Sequence, residues 1–468
     1  MASTGSGGRE SGARAGVTRG QALRGALGAG ALLTSGAALA ACGAVAERGG
    51  GQGGPAEGVS RQPVRLQMFN QSGSQQDVDD WTAMLKPFGE KHPNVSFDIS
   101  GPPAGQQMVD RALAYGAAGT PPDFTYSVTR NGPTIFEGGL TQDMGPIVKR
   151  DKIDLKDVAR PVLENFDWKG KMLALPYDPG YAFIQYNRSL FEQAGVPDPG
   201  RQWGDKKWDW NAFVQSGVAL SRAPASGQQR FGFLVRNWEG DYVSIVRTLG
   251  GDLLNKDRTQ LALGDGPSIA ALTQWAELVT KHKASPAFGE GPPGSFTSGV
   301  LAMHSSHPGD IRPMQRFVKD NGAQWTWDVV PHPAPPGKRP VPVLFTNGLY
   351  LWKGIKEEAT AVEALKFLMA DESMLRYGQL TGRDPARQTL MPAHVKNLGL
   401  PEQDPKSWLK VYQELTNDVR GLPWTVAYVE WHTLVQQQIL TPLVRGEKSA
   451  QEAVSAVAPQ VNAILQRK

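Results

Sequence analysis

The chain has 468 residues, 40% of them hydrophobic and 20% charged, which is too long for one ordinary core and neither disordered by composition nor that of an integral membrane protein. The formal charge of +4 is mostly a property of the first 41 residues, where Arg9, Arg14, Arg19 and Arg24 outweigh Glu10, so the remainder carries about +1. A near-neutral body offers no field for nucleic acid or an anionic membrane face, and no basic run interleaved with aromatics appears; nucleic acid is set aside as a partner.

Residues 1–24 form a basic n-region, and Ala26 to Ala41 is uncharged, with Leu27, Leu32, Leu33 and Leu39 among small residues. This apolar run is too short and too rich in glycine for a membrane span. It closes on Leu39-Ala40-Ala41-Cys42-Gly43, which resembles the bacterial lipoprotein signal, with Cys42 as the lipidated residue; the plain alternative is an unpaired thiol. Cys42 is the single cysteine, so disulfides are excluded and stability must come from packing. Thr18 to Arg24 is similar to a twin-arginine export motif with glycine in place of its second arginine, which leaves both export routes open. Residues 1–41 therefore read as a signal peptide. Residues 42–63, rich in Gly, Ala, Gln and Pro without apolar periodicity, read as a flexible tether.

Val64 to Phe69 alternates as a strand ending at Asn70 and Gln71. Val78, Trp81, Met84, Leu85 and Phe88 then recur at helical spacing behind Ser74 as N-cap. Val95 to Ile99 is a second strand and Asp123 to Val128 a third, which makes a parallel α/β unit. In open α/β sheets ligands collect beyond the carboxyl ends of strands, which selects Asn70, Ser127 and Arg130 as candidates. A turn residue or a solvated loop charge is the bland alternative for Asn70 and Arg130. From Gly170 to Pro199 the chain breaks around Tyr177-Asp178 between Pro176, Pro179 and Gly180. It then becomes β-rich from Ala182 to Tyr186 and passes through Asn187 into a short helix ended by Gly195.

Asp209 caps the next helix. Phe231 to Val235 is a β-run that ends in a loop, Arg236 to Tyr242. There Trp238 offers a face for a sugar ring, and Glu239 and Asp241 offer acceptors for hydroxyls, against the alternative that Trp238 is core. Pro267 to Lys281 reads as a helix, and His304, Ser305 and Ser306 as a loop facing a cleft. His304, His307 and Asp310 do not make a metal site, because Pro308 and Gly309 break the helix that such spacing needs. Gly289 to Gly294 matches a dinucleotide glycine spacing, but its prolines exclude the reading. Pro331 to Pro342 reads as an exposed loop, Val343 to Trp352 as a strand containing Asn347-Gly348, and Trp408, Tyr412 and Leu415 as a helix. Ser449 to Glu452 is a capping box for a closing helix.

Several of these stretches resemble one family in their order along the chain. They are Phe88-Gly-Glu-Lys-His-Pro-Asn-Val95, Ala117-Ala-Gly-Thr-Pro-Pro-Asp123, Leu175-Pro-Tyr-Asp178, Tyr186-Asn-Arg-Ser-Leu-Phe191, Ala194-Gly-Val-Pro197, Trp208-Asp209, Phe296-Thr-Ser-Gly-Val-Leu-Ala-Met303 and Leu443-Val-Arg-Gly446. The chain is similar to the extracellular solute-binding proteins of ABC importers, in the maltose-binding-like subgroup, family 1. The resemblance implies an α/β, two-lobe periplasmic-binding-protein type II fold with three hinge crossings, built from 64–177 plus 346–405 as lobe I and 180–343 plus 412–468 as lobe II. It further implies Tyr177, Asp178 and Asn347 at the cleft base. The helix from Lys356 would end at Asp371-Glu-Ser. Trp424 and Trp431 would belong to a tail segment that brings an aromatic to the ligand, with core packing as the alternative.

The function implied is capture of a small solute, favoured as a sugar or oligosaccharide with anions left open, for delivery to the transmembrane subunits of an ABC permease. The protein would be a monomer, exported and lipid-anchored on the outer face of the cell membrane or periplasmic, with no cofactor, metal or catalytic residues. The rival readings are a secreted carbohydrate-active enzyme and a structural envelope lipoprotein. Against the enzyme, no Gly-x-Ser-x-Gly or His-Glu-x-x-His stands in the sequence, and Glu239 with Asp241 forms no placeable catalytic pair.

Overall fold

The computed structural model describes residues 58–102, 106–221, 229–290, 295–398, 409, 411–413 and 418–467. The leader, Cys42, most of the tether, four of the six residues of the Gly289–Gly294 stretch and the helix around Trp408 and Leu415 fall wholly or largely outside these residues.

Two sheets organise the described residues. The first is built from β1 (Val64–Asn70), β2 (Val95–Ser100) and β3 (Phe124–Val128), all parallel, interleaved with α1 (Gln75–Lys91) and α2 (Gln106–Ala118). Alternation in β1 puts Leu66 and Met68 inside, while α1 buries Trp81, Met84, Leu85 and Phe88 against the sheet. Ser74 caps α1 as expected, its hydroxyl accepting from the Asp77 N–H. Next come β4 (Leu175–Tyr181) and β5 (Phe183–Asn187), then α3 (Arg188–Ala194), which Gly195 ends with φ of 62°. The second sheet has the order β8-β5-β7-β6, where β6 is Phe231–Leu234, β7 Leu301–Ser306 and β8 Trp327–Val330. Its helices include α4 (Trp210–Leu220), α5 (Glu239–Leu249) and α6 (Gly266–Thr280), while α7 (Ile311–Asn321), which follows β7, packs on the core of the first sheet.

Two hydrophobic cores form, one mainly beneath each sheet, and Leu301 of β7 and Trp327 and Val329 of β8 reach from the second sheet into the first core. Three passages join them side by side. In the first, Tyr181 and Phe183 belong to the first core and Ile184 to the second. In β9 (Val343–Leu351), Val343 packs in the second core and Leu344 and Leu349 in the first. The third runs through β10 (Arg420–Gly421), with Val419 in the first core and Leu422 in the second. β9 is the common member, antiparallel to β3 and β4 and parallel to β10, and its register with β4 shifts between Asn347 and Gly348. A Cβ on Gly348 would lie 2.5 Å from the Phe166 ring, so that ring closes directly on the backbone at the irregularity.

Four expectations are corrected. The Pro176–Gly180 stretch is strand throughout, and the expected break is reduced to the register shift that skips Tyr177 between Pro176 and Asp178; among the described residues β4 pairs with β9 alone, and an edge strand tolerates prolines that cannot donate. Arg236 to Tyr242 is a loop only as far as Trp238, because α5 begins at Glu239. His304, Ser305 and Ser306 are fully formed strand in β7, without any loop character. Asp371 and Glu372 do not end α8 (Glu358–Leu368); they open α9 (Asp371–Thr381), where their charges favour the positive end of the helix. The Pro331–Pro342 segment is irregular as read, but Pro331, Pro333 and Ala334 are buried beneath its exposed turn.

The halves also meet away from the passages, where α7 buries Ile311 and Met314 in the first core. Helix α7 follows β7 yet reaches α9 and the residues after α10 (Met391–Asn397). Arg316 donates to the Leu380 carbonyl at 2.9 Å, while Gln315 and Arg312 both donate to the Leu398 carbonyl, at 3.0 and 3.2 Å.

Close backbone approach in the second half gives a test. A Cβ on Gly232 in β6 would sit 1.9 Å from the Gly217 carbonyl oxygen in α4. Gly232→Ala is expected to lower unfolding stability by about 3 kcal/mol, the upper end of overpacking, as measured by urea denaturation. A loss within experimental error would mean that strand and helix are not so closely apposed.

Candidate functional site

Three groups of side chains meet where β9 passes between the cores. The first is a buried polar network around Asp178 of β4. Its carboxylate accepts from the Tyr126 hydroxyl at 2.7 Å, the Asn347 amide at 2.7 Å and the Arg383 guanidinium at 3.3 Å. Gln71, just past the end of β1, continues it: its amide donates to Asn347 Oδ1 at 3.3 Å, and its own carbonyl oxygen accepts from the Val128 N–H at 2.7 Å. Tyr377 donates to the Tyr126 hydroxyl at 2.9 Å. Strand alternation explains the convergence, because Asn347 lies opposite both Val128 and Asp178 in the ladder. Burial pushes the Asp178 carboxyl up to about 6 in spite of the Arg383 charge and its hydrogen bonds. Burial also raises the Tyr126 hydroxyl well above its ordinary range.

The second group is aromatic and comes from the other half. Trp238 stacks on Phe345 of β9 with ring centroids 5.2 Å apart and planes 12° from parallel. The Arg236 guanidinium lies 5.1 Å from the Trp238 ring centroid, and His307 packs 5.8 Å from Trp238 and 6.5 Å from Phe345. Trp238, His307, Phe345 and Arg236 all remain half-buried. The turn after β7 is pinned by the Gly309 N–H, which donates to His307 Nδ1 at 3.0 Å. A Cβ on Gly309 would be 3.3 Å from the Arg383 guanidinium carbon. Arg383 thus touches Asp178 on one side and the His307–Gly309 turn on the other, which brings the first two groups together.

The third group is Glu239 with the tail helix α11 (Tyr428–Leu434). Glu239 accepts from the Tyr428 hydroxyl at 2.8 Å and lies 3.6 Å from His432 Nδ1, while Tyr242 bonds His432 Nε2 at 2.7 Å. Desolvation lowers the His432 pKa, so this imidazole is held neutral at pH 7. Arg130, on the 3-10 turn after β3, is near enough for its charge to act on Tyr428 and His432.

Of the residues singled out by sequence, Asp178 and Asn347 stand at the centre of the network, with Asn70 buried beside it, its amide donating to the Ser72 carbonyl at 2.7 Å. Trp238 lies in the aromatic group, and Arg130 and Glu239 in or near the third. Others are placed elsewhere. Ser127 is buried and accepts from Asn131 at 2.9 Å. Tyr177 packs among Trp81, Tyr126 and Tyr377. His304 lies flat on Phe296, bonds Gln185 at 2.9 Å and is pushed down to about 3 by burial, so it is a neutral strand residue. Asp241 is behind the cleft wall and accepts from the Arg236 N–H at 2.8 Å. Trp424 donates to Asn165 at 3.0 Å, and Trp431 is fully enclosed, donating to Thr425 at 2.9 Å. Among the described residues no group of three His, Cys, Asp or Glu could hold a metal ion. Sequence reasoning does not reach Tyr126, Arg383 or Phe345, and it weighs His307 only as a ligand to metal. Tyr126 and Phe345 look like ordinary strand residues, and Arg383 follows a helix with no local mark of its destination.

The raised Asp178 pKa has a sign that can be measured. Between 3.8 and about 6 the folded state holds more of this proton than the unfolded state, so the stability due to Asp178 is full below 3.8 and is lost as pH rises through about 6. Relative to the wild type, Asp178→Asn is therefore expected to gain stability on going from pH 4 to pH 7, on the order of 1–3 kcal/mol, in urea unfolding at a series of pH values. A difference that stays flat across this window would put the carboxyl at its ordinary value.

Comparison with known proteins agrees with this architecture. The sequence profile of a family described as bacterial extracellular solute-binding protein matches residues 83–400. Binding proteins of Brucella abortus and Brucella suis are 22% identical over 241 residues, covering 49% of this chain and 55% of theirs. The chain thus spans about half the length of the curated relatives it matches. Among solved structures, an ABC substrate-binding protein of Listeria monocytogenes in complex with cycloalternan aligns with a TM-score of 0.71 at 18% identity, over 86% of this chain and 99% of that one. The GacH receptor of Streptomyces glaucescens, solved unliganded and with acarbose, aligns at 0.70 and 17% identity, over 86% and 98%. Maltose-bound MalE3 of T. maritima aligns at 0.69 and 19%, over 86% and 99%. At such identities the likeness is one of fold, the two-lobe periplasmic-binding-protein type. With two cores joined by three passages and a profile match over most of its length, the chain belongs to the bacterial extracellular solute-binding protein family.

Proposed function

We propose that the protein captures a sugar or oligosaccharide between its two lobes and delivers it to the transmembrane subunits of an ABC permease, without catalysis of its own. The observation that carries this reading is the meeting, at the passages, of a polar network on the first-lobe side with a half-buried aromatic group on the second. A sugar ring needs both: an apolar face on which its C–H groups can lie, and fixed donors and acceptors for its hydroxyls. Trp238 and Phe345 supply the first; Asn347, Gln71, Arg383 and Asp178 supply the second, with Arg130, Glu239 and His307 at the margins. The saccharide complexes among the structural neighbours support the same ligand class. Ligand contacts made to both lobes at once are what favour the closed form.

In this reading lobe I comprises residues 64–177 and 346–405, and lobe II residues 180–343 and 412–468. The protein acts as a monomer, tethered through a lipid on Cys42 to the outer face of the cell membrane.

Two substitutions separate this site from the core. Trp238→Ala is expected to raise the Kd for the sugar that binds by about tenfold, equivalent to about 1.4 kcal/mol, with little change in thermal stability. Trp431→Ala is expected to destabilise by about 3–5 kcal/mol as a large buried ring. Calorimetric titration of the mature chain with maltose, maltotriose and cyclic oligosaccharides, together with thermal melts of both variants, measures this. Solution scattering of the wild type should show contraction on binding. Absence of both heat and contraction across the sugar panel would sink the proposal.

A further inference from the structure

Behind the cleft wall, the second core contains a cavity of about 20 Å3, measured to the centre of a water-sized sphere and walled mostly by apolar side chains such as Ile184, Phe213 and Leu278. Four polar side chains also line it: Asp241 of α5, Trp275 of α6, Ser305 of β7 and His332 of the proline-rich segment. Asp241, Trp275 and Ser305 are 4%, 2% and 0% exposed. Trp275 Nε1 and His332 Nε2 are buried with no hydrogen-bond partner in the protein, while the Ser305 hydroxyl lies beside the Asp241 carboxylate and acts on it as a hydrogen-bond donor, leaving Oδ1 without a closer partner. The Arg236 guanidinium lies 4.0 Å from Asp241 Oδ1. Orphaned buried polar atoms are rare in folded proteins, and Trp275 Nε1 and His332 Nε2, facing one small cavity beside the Asp241 carboxylate, call for a shared partner.

We propose that this cavity is a binding site for one water molecule, which holds the cleft wall in place from behind. The volume fits one such molecule, and the donor set selects it over an ion. An indole N–H can only donate, so Trp275 disfavours a metal or ammonium cation. A carboxylate oxygen can only accept, so Asp241 disfavours an anion. Water accepts from Trp275 and donates to Asp241 Oδ1 and to the unprotonated His332 nitrogen, with the Ser305 hydroxyl as fourth neighbour. Burial lowers the His332 pKa to about 3, which keeps that ring neutral and able to accept.

The site bears on the cleft through two of its members. Asp241 Oδ2 accepts the Arg236 N–H at 2.8 Å, and the Ser305 carbonyl accepts from the Arg236 guanidinium, which packs over Trp238. Fixing the back of Asp241 and Ser305 fixes the position of Arg236 at the front. Asp241, Ser305, Trp275 and His332 are positioning residues that need never touch the solute.

A crystal structure of the mature chain that resolves ordered solvent should show one water within hydrogen-bonding distance of Asp241 Oδ1, Trp275 Nε1 and His332 Nε2. Direct closure of these groups on each other, or density for an ion, would overturn the assignment whether or not any sugar binds. Trp275→Phe and His332→Phe each remove one water partner and largely keep the apolar packing. In both variants, hydrogen exchange at the Arg236 amide is expected to quicken about tenfold, with amides of the closing helix, residues 450–465, unchanged. An unchanged Arg236 rate, or a uniform rise throughout the chain, would overturn the positioning role.

Discussion

The arrangement rests on a carboxylate held out of water at the point where the chain passes between cores. Asp178 cannot be buried alone, since an uncompensated charge there would be strongly unfavourable. Its three partners come from separate parts of the chain: Tyr126 from β3, Asn347 from β9 and Arg383 from the residues after α9. Satisfying that one group therefore fixes the relative placement of two of the passages and the segment that carries Arg383. Phe345, two residues before Asn347 on β9, stacks on Trp238, so the same strand sets the floor and one wall of the candidate site.

The lobes are unlike in what they present. The first offers strand ends and fixed hydrogen-bonding groups, as expected of a parallel sheet whose carboxyl edge faces a crevice. The second offers rings and charge, with α5 so deeply packed that ten of its eleven residues are buried. A helix enclosed on all sides cannot shift far without repacking its surroundings, which suits it to hold Trp238, the residue at its N-cap.

Much of the fold is legible because local rules and the tertiary outcome agree. Ser74, Asp209 and Ser449 cap the helices they precede, Gly195 ends α3 in the left-handed region, and strand alternation in β1 matches what is buried. The misreadings share a physical cause. Pro176 and Pro179 signal a break locally, but an edge position removes the penalty that makes prolines break strands. Trp424 and Trp431 look alike to a sequence reading, and only the packing around them decides between ligand and core. At the site, Asn347 and Asp178 were reachable through motif and register. Arg383 was not, because nothing near it in the chain marks a residue that will cross to Asp178.

The seam formed by α7 has a property of its own. Arg312, Gln315 and Arg316 reach across to main-chain carbonyls, those of Leu380 and Leu398, and to no particular side chain at these bonds. A carbonyl is present whatever residue carries it. Substitution at positions 380 and 398 leaves the acceptor atoms in place, whereas a change at Arg312, Gln315 or Arg316 removes a donor, so at these bonds the demand for a particular side chain lies with α7.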